Sequence, residues 1–441
     1  MSGPRPRGAG DEGVADRSRL GHHRRWERWR RLRRLDDHRL DDDLGRSLGL
    51  DGSELAREAT AGSTIPPSLF LGFAVASIGG PLALGAIYLP GAGDHRSAGL
   101  LALVGAALYA LPLSVWLRYS ADIVSAGGLA AFVEAAVGRP AALAQAAVWS
   151  FSYFLYLPYT VTDIVYEMLG DVFPGLDPWR WAVELALPVG IVALALAGTL
   201  PVLRLLLVSA VAQLALLLAL GAVMLAHTGG PASSFSGHGL VRGGPNVALL
   251  FLCGSLPLFL GAEVAGGGRT VRRSLTVAGG VVAGYLVFVA WPLADVDPML
   301  VHANLPGYAI AAAYTGRPLA VAVGVGAAAS VAGLILAEYL ALSRLLWAYT
   351  GVPVRRLIAW IAVPFVAIDA LSILDPERFD RDVLRPSLVA LFLSQLVVFA
   401  VFPAFRARRG RLSPLDVALA AGACALMAWG LYRAVVEPVA T

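Results

Sequence analysis

The chain has 441 residues, of which 57% are hydrophobic and 15% are charged, and its formal net charge is +4. A mean hydropathy of +0.67, carried by apolar runs repeated along the chain, excludes an ordinary soluble globular protein. Both cysteines, Cys253 and Cys424, lie in apolar runs, so we expect neither a structural disulfide nor a metal site. The composition is that of a polytopic helical membrane protein.

Residues 1–65 form a polar segment rich in Arg, Asp and Gly, which we interpret as a disordered cytoplasmic tail. Within it Trp26, Trp29, Leu32 and Leu35 recur every third residue beside a dense basic cluster. An amphipathic helix on the anionic cytoplasmic leaflet is therefore the alternative. We expect no secretory signal before the first apolar run, because the polar segment has no apolar core flanked by a cleavage site.

Eleven apolar stretches follow, each long enough to cross about 30 Å of hydrocarbon at about 1.5 Å per residue. They are predicted at residues 67–90, 98–118, 140–168, 179–199, 201–226, 245–265, 275–294, 318–342, 356–374, 384–404 and 414–434. Arginine is more frequent in the loops on the side of the tail, which predicts that this side faces the cytoplasm. The sequence thus predicts a multi-pass protein of the cytoplasmic membrane, with a missed twelfth span left open.

The first apolar stretch is interrupted in its middle by Ser77-Ile78-Gly79-Gly80-Pro81. Proline removes a backbone donor and clashes with the preceding turn, and glycine is costly inside a helix. Because lipid offers no hydrogen-bond partners, such a break is tolerated only inside the protein or along a cavity. The break therefore predicts a binding site near the middle of the membrane.

A second break lies in the sixth stretch, where residues 252–263 again combine glycine and proline and end on an acid. Paired interrupted helices, five spans apart and opposite in direction, predict a 5+5 inverted repeat around a central site. The repeats would be 67–226 and 245–404 within a core at 66–411, and 412–441 would add one helix and a short tail. Exposed backbone N–H and carbonyl groups at the breaks would suit both ends of a zwitterionic amino acid.

The third span carries Ser152, Tyr156, Tyr159, Asp163 and Tyr166 at spacings of three and four residues, which places them on one helical face. We interpret this face as the outer part of a pathway, in which Asp163 attracts a cationic group or takes part in proton transfer. An interfacial belt of tyrosines, with Asp163 in contact with water, is the alternative.

Five further side chains are candidates for coupling, gating or substrate contact. Glu263 is interpreted as a gating or proton-linked group, or else as a partner for free backbone N–H groups. Phe259 is a candidate lid or a packing residue. Glu338 and Asp369 are expected to lie near polar regions or to be paired, and a role in coupling is the alternative. Ser330 would supply a hydroxyl to a sodium site with carbonyls of the first helix, although such hydroxyls often bond their own backbone. The predicted substrate-binding residues are Ser77, Ile78, Gly79, Gly80, Pro81, Tyr156, Tyr159, Phe259 and Gly261.

Five segments of the chain, at residues 78–81, 125–140, 259–263, 269–274 and 343–344, resemble motifs of the amino acid–polyamine–organocation (APC) transporter superfamily. The segment Ile78-Gly79-Gly80-Pro81 resembles the Ile-Gly-Ser-Gly motif of its first helices. Three more similarities, in the expected order, are the loop residues 125–140, the basic loop 269–274 and Ser343-Arg344 at the end of the eighth span. The break at residues 259–263 resembles the family's Phe-x-Gly-Phe-Glu segment.

The resemblance covers about residues 67–411 and implies a LeuT-like, all-α fold with an amino acid permease-like activity. The first motif ends in proline rather than glycine, and an alternative alignment places the break near Gly85. Some relatives use a lysine of the fifth span in place of a cation, but this chain has no lysine, and Arg204 is too shallow to replace it.

The sequence therefore predicts a secondary transporter that moves an amino acid or a related organic amine by alternating access. Coupling to H+ or Na+, or substrate exchange, would drive it, and no other cofactor is expected. The expected partners are the small-molecule substrate and membrane lipid, with no nucleic acid. The alternatives are a transporter-like sensor or scaffold without flux, and an integral-membrane transferase, which would need acidic metal motifs that the sequence lacks outside the tail.

Overall fold

The computed structural model describes residues 65–228 and 237–436. These residues are helical apart from turns and one isolated parallel β-bridge between Ile65 and Val264. Nine helices among them are long and apolar enough to cross a membrane. The predicted tail lies outside the described residues, apart from Ile65 at its end.

Two more long helices, the third and the ninth, have 24 and 19 residues and bring the described spans to the predicted eleven. The spans are Pro67–Gly91, Ala98–Ser120, Arg139–Thr162, Arg180–Leu196, Thr199–Thr228, Gly243–Glu263, Gly267–Ala290, Arg317–Thr350, Val354–Ser372, Pro376–Ala400 and Pro414–Val436. We call the end where the first span begins the basic face, because most loop arginines lie there, and the other end the opposite face.

Several helices extend beyond the boundaries predicted from hydropathy. The seventh span begins at Gly267 rather than at residue 275, and the eighth continues to Thr350 rather than ending at residue 342. The tenth begins at Pro376 instead of residue 384, because Asp375 caps it by accepting a hydrogen bond from the Arg378 N–H at 3.1 Å. These polar helix ends reach beyond the hydrocarbon, where hydropathy no longer indicates a helix.

A repeated sequence element precedes the third and the eighth spans. The ten-residue helix Gly128–Val137 is followed by Gly138 with φ +105°, and the ten-residue helix Pro306–Thr315 is followed by Gly316 with φ +90°. Both backbone conformations favour glycine, and the next two residues are Arg-Pro in each case. The two elements lie on opposite faces of the bundle and five spans apart, as an inverted repeat requires.

The packing of the spans has the same internal symmetry. The third span packs on the tenth as the eighth packs on the fifth, and the first packs on the seventh as the sixth packs on the second. The fourth and ninth spans, which the repeat exchanges, pack on each other. These matched pairs confirm the predicted 5+5 arrangement.

The two interrupted helices lie at the centre of the bundle. In the most apolar stretch of the first span, 89% of the residues are buried, and the corresponding share is 67% in the sixth span and 61% in the eighth. In the fourth span it is only 22%. The breaks are therefore enclosed by protein, which is the condition under which membrane helices tolerate them.

A buried polar cluster joins the third, fourth and ninth spans away from the breaks. Glu184 is fully buried, and its Oε1 accepts hydrogen bonds from the Thr162 hydroxyl at 2.8 Å and the Ser372 hydroxyl at 2.6 Å. Asp369, predicted as a coupling candidate, lies in this cluster, close enough to interact electrostatically with Glu184. Its oxygens have no hydrogen-bond partner among the described residues.

Replacing Thr162 with valine should destabilise the protein, because Glu184 then loses one of its two hydroxyl donors. A buried hydrogen bond contributes about 1 kcal/mol, so thermal unfolding in detergent should shift to a lower temperature. Thr160 is the matched control, since its hydroxyl bonds only carbonyls of its own helix, Tyr156 O and Leu157 O, both at 2.9 Å. Equal shifts for Thr162→Val and Thr160→Val would contradict a structural role for the Glu184 contact.

Candidate functional site

The first break lies at Gly79 and Gly80, between the helix Pro67–Ser77 and the turn that restarts at Pro81. Both glycines have positive φ, +60° and +63°, a conformation that other residues rarely adopt. Neither position has room for a side chain, because a Cβ on Gly80 would lie 2.4 Å from the Ser330 hydroxyl oxygen. The predicted position of the first break is thus confirmed. The alternative position near Gly85 is wrong, since Gly85 lies within a helical turn.

The second break directly contacts the first. The α-helix Gly237–Leu250 ends, and a 3-10 segment, Leu252–Glu263, replaces it for the rest of the sixth span. A Cβ on Gly79 would lie 2.8 Å from the Leu250 carbonyl oxygen, and one on Gly254 would lie 3.3 Å from Ile78 Cγ1. The two helix interruptions therefore meet at the centre of the bundle.

Ser330 of the eighth span lies against the first break, and its role at a sodium site stays a prediction. Its hydroxyl donates to Gln213 Oε1 at 2.7 Å and lies 3.5 Å from the Ala83 N–H. The Gln213 amide nitrogen donates in turn to Ser209 Oγ at 2.8 Å. Sequence reasoning missed Gln213, although a single amide in the long apolar run between Ser209 and His227 is a recognisable signal.

On the opposite face, the first and third spans meet through Tyr88 and Asp163. The Tyr88 hydroxyl donates to Asp163 Oδ2 at 2.7 Å. Both residues belong to π-helical turns, Leu84–Tyr88 and Asp163–Leu169, a distortion that occurs frequently at functional sites. Both side chains are half-buried.

Two more residues of the predicted third-span face lie near this contact. The rings of Tyr156 and Tyr159 are half-buried, 5.4 Å apart, and close enough to Asp163 to interact with it electrostatically. Ser152 instead donates to the Ser387 carbonyl at 2.8 Å, and Tyr166 packs under Arg180, 5.5 Å from its guanidinium carbon. The π turn that begins at Asp163 rotates Tyr166 away from the other tyrosines.

On the basic face, Glu263 and Arg344 join the sixth and eighth spans. Arg344 Nε donates to Glu263 Oε1 at 3.0 Å, and another guanidinium nitrogen donates to Thr199 at the start of the fifth span. The backbone closes the same place, since the Ile65 N–H donates to the Glu263 carbonyl at 2.7 Å and the Ala265 N–H donates to the Ile65 carbonyl at 3.1 Å. The centre of the bundle is thus closed towards the basic face.

Phe259 is part of this closure. Its ring is buried, with its centroid 4.4 Å from that of Trp149. It also fills the space beside Gly128, where a Cβ would lie 2.3 Å from the ring. Gly261 packs near Val124, and a Cβ on Gly261 would lie 3.1 Å from Val124 Cγ1. These contacts favour packing over a lid for Phe259, and substrate contact by Phe259 or Gly261 stays a prediction.

Glu338 of the eighth span is fully buried, and neither carboxyl oxygen has a hydrogen-bond partner among the described residues. It lies close enough to Tyr153, Tyr156 and Cys253 to interact with them electrostatically. Cys253 belongs to the second break, and its half-buried thiol lies 3.9 Å from the Tyr153 hydroxyl. Glu338 therefore belongs to the central region, whereas Asp369 does not.

Metal ligation by side chains finds no support in the part of the chain that the structure describes. No group of three or more His, Cys, Asp or Glu side chains lies close enough together there to hold a metal ion.

No protein-family model and no curated protein matches the sequence. Solved structures do. MhsT in complex with L-phenylalanine superposes with a TM-score of 0.57 at 15% identity, over 82% of this chain and 97% of that one. A variant of the manganese transporter of Eremococcus coleocola gives a TM-score of 0.56 at 10% identity, over 85% and 88%. A Na+-coupled sialic acid symporter in its substrate-bound outward-open state gives 0.54 at 13%, over 86% and 91%.

Similarity at such low sequence identity indicates the fold but not the substrate. The three proteins themselves differ in this respect, since one is in complex with L-phenylalanine, one is a manganese transporter and one is a sialic acid symporter. The similarity extends over most of each chain and agrees with the paired breaks and the symmetric packing of the spans. The chain is therefore an all-α, multi-pass membrane protein of the LeuT-like fold.

Proposed function

We propose that this protein is a secondary transporter that moves an amino acid or a related organic amine by alternating access. The observation that carries the proposal is the contact between the two helix breaks at the centre of the bundle, with one polar closure on either side of it. A broken helix pair supplies free backbone groups to a ligand in a place where lipid cannot satisfy them.

The two closures have equivalent positions in the architecture. Tyr88 with Asp163 joins the first span to the third, and Glu263 with Arg344 joins the sixth span to the eighth. Each contact thus connects an interrupted helix to the uninterrupted helix that the repeat assigns to it. If one closure opens while the other holds, the centre is exposed to one face at a time, which is the requirement for alternating access.

Coupling to H+ or Na+ is part of the proposal. The Ser330 hydroxyl beside the first break, with carbonyls of the first helix, is our candidate for a Na+ site, and Asp163 and Glu263 are candidates for proton-linked gating. Excess arginine on the basic face supports a cytoplasmic location for that face and for the N-terminal tail, in the cytoplasmic membrane.

Uptake into proteoliposomes tests the proposal. Radiolabelled amino acids, organic amines and ethanolamine are offered with an imposed H+ or Na+ gradient, and protein-free liposomes are the control. We expect saturable accumulation of at least one compound, and its collapse when the driving gradient is dissipated. Binding without flux would favour a sensor, and no saturable flux for any compound would overturn the transport proposal.

A further inference from the structure

We propose that the transported substrate is a cation and that the carboxylate of Glu338 neutralises its positive charge at the centre of the bundle. The inference rests on the proposed transport function and specifies the class of its substrate. In the same proposal, the Glu338 carboxyl group is protonated when the substrate is absent.

The first support is the isolation of Glu338. Its side chain is fully buried, and its oxygens have no partner among the described residues. No described basic side chain is close enough to neutralise it. The titratable groups that interact with it come from the third and sixth spans: the hydroxyls of Tyr153 and Tyr156 and the thiol of Cys253. All of these groups are neutral at physiological pH.

A buried carboxylate without a counter-charge is too costly to persist. Two states avoid the cost: the carboxyl group holds a proton, or the carboxylate faces a bound cation. The two states exclude each other, because a protonated carboxyl group carries no charge to attract the cation. Binding of a monovalent cation therefore releases one proton from Glu338, and charge balances at the site.

The second support is the polarity of the helix ends at the breaks. The α-helix Pro67–Ser77 ends at the first break and directs its carbonyl end towards the centre, whereas the sixth span continues there as the 3-10 segment Leu252–Glu263. The carbonyl end of an α-helix is equivalent to about half a negative charge. This end can bind an ammonium or guanidinium group, and the N-terminal end that restarts at Pro81 lies on the other side of the break.

The third support is a group of acidic side chains that lies towards the opposite face. Asp163, Glu167 and Asp380 lie close enough together to interact electrostatically, and we call these three carboxyl groups the acidic vestibule. Tyr156 and Tyr159 lie beside it. Acidic groups around a cleft raise the local concentration of cations, and tyrosine rings can bind ammonium groups through cation–π interactions.

The proposed exchange makes the protein a proton/cation antiporter. On one face the cation displaces the proton from Glu338, and on the other face a proton displaces the cation. Alternation of the two closures then links the two movements in opposite directions. A proton gradient would therefore drive export of the cation from the compartment with the higher pH.

Binding to the purified full-length protein tests the proposal. Putrescine, ethanolamine and arginine represent cations, alanine represents zwitterions and glutamate represents anions. Ligands that bind only the folded state raise its unfolding temperature. We expect this rise with cations alone, and a weakly buffered solution with a pH indicator should record about one proton released per monovalent cation bound.

The Glu338→Gln variant should lose the proton release and bind the cation at least ~10-fold more weakly, a difference of about 1.4 kcal/mol. It should fold, because the amide has the same shape and carries no charge. Glu338→Asp keeps the carboxyl group and should still release a proton when the cation binds. This variant shows whether a loss in Glu338→Gln is due to the missing carboxyl group or to a failure to fold. Glu134→Gln is the matched control, since Glu134 is exposed on a connecting helix and contacts Tyr349.

Several outcomes would overturn the proposal. If alanine or glutamate stabilises the protein while the cations do not, the substrate is not a cation. If cations bind without proton release, or if Glu338→Gln behaves like the unmodified protein, Glu338 is not the counter-charge. Both results leave transport itself intact, whereas failure of every compound in the uptake assay would remove the transport function on which the inference rests.

Discussion

Replacement of Gly80 with alanine should reduce transport by at least ~10-fold, because the first break can no longer form without strain. The backbone at Gly80 has φ +63°, and a left-handed conformation costs other residues about 1–2 kcal/mol. The added methyl group would also lie 2.4 Å from Ser330 Oγ and 2.9 Å from the Ser330 carbonyl oxygen. The first and eighth spans would have to separate where they enclose the site. Uptake into proteoliposomes and thermal unfolding in detergent measure the two effects.

Gly284 in the seventh span provides the matched control. A Cβ there would have no neighbouring atom within 4 Å, so Gly284→Ala should leave transport unchanged. Its stability should be equal or higher, because alanine favours a helix by about 1 kcal/mol relative to glycine. Normal uptake by Gly80→Ala would show that the break is not part of the transport site.

Breaking the Glu263–Arg344 pair should shift the protein towards states that are open at the basic face. The Arg344 side chain is 5% exposed and that of Glu263 is 31% exposed, so Glu263→Gln leaves a buried cation without its carboxylate. A charged hydrogen bond of this kind contributes about 2 kcal/mol, which corresponds to a population shift of roughly 30-fold. Cys253 in the second break reports the shift. In a Cys424→Ser background, its labelling by a membrane-impermeant maleimide from the basic face should accelerate.

In the charge-reversed pair, Glu263→Arg with Arg344→Glu, Cys253 should be labelled more slowly than in Glu263→Gln, because the attraction between the two side chains is restored. The exposed pair Arg378–Asp382, at 74% and 68% exposure, is the control, and Asp382→Asn should not change the labelling. If labelling stays slow in Glu263→Gln, the ion pair does not hold the basic face closed.

The spans and the two breaks could be predicted from the sequence because hydropathy, glycine and proline act locally. A run of apolar residues is sufficient to place a helix in lipid, and Gly79-Gly80-Pro81 is sufficient to interrupt it. Helix ends beyond the hydrocarbon, such as the start of the tenth span at Pro376, lack that signal and were predicted as loops.

The side-chain partners could not be predicted, because they depend on which helices touch. The contact between Ser330 and Gln213 joins residues 117 positions apart, and Tyr88 reaches Asp163 over 75 positions. The π turn at Asp163 changes the helical period, so the regular spacing that grouped Tyr166 with the other tyrosines failed there. The expectation that Glu338 lies near a polar region or is paired was wrong, because its full burial without a hydrogen-bond partner appears only when the neighbouring helices are in place.

The Gly-Arg-Pro triplets before the third and eighth spans affect how the arginine bias across the membrane is counted. The inverted repeat places Arg139 on the basic face and Arg317 on the opposite face, at equivalent positions of the repeated element. The two arginines therefore cancel in a comparison of the two faces. The charge bias across the membrane is clearer once this equivalent pair is set aside.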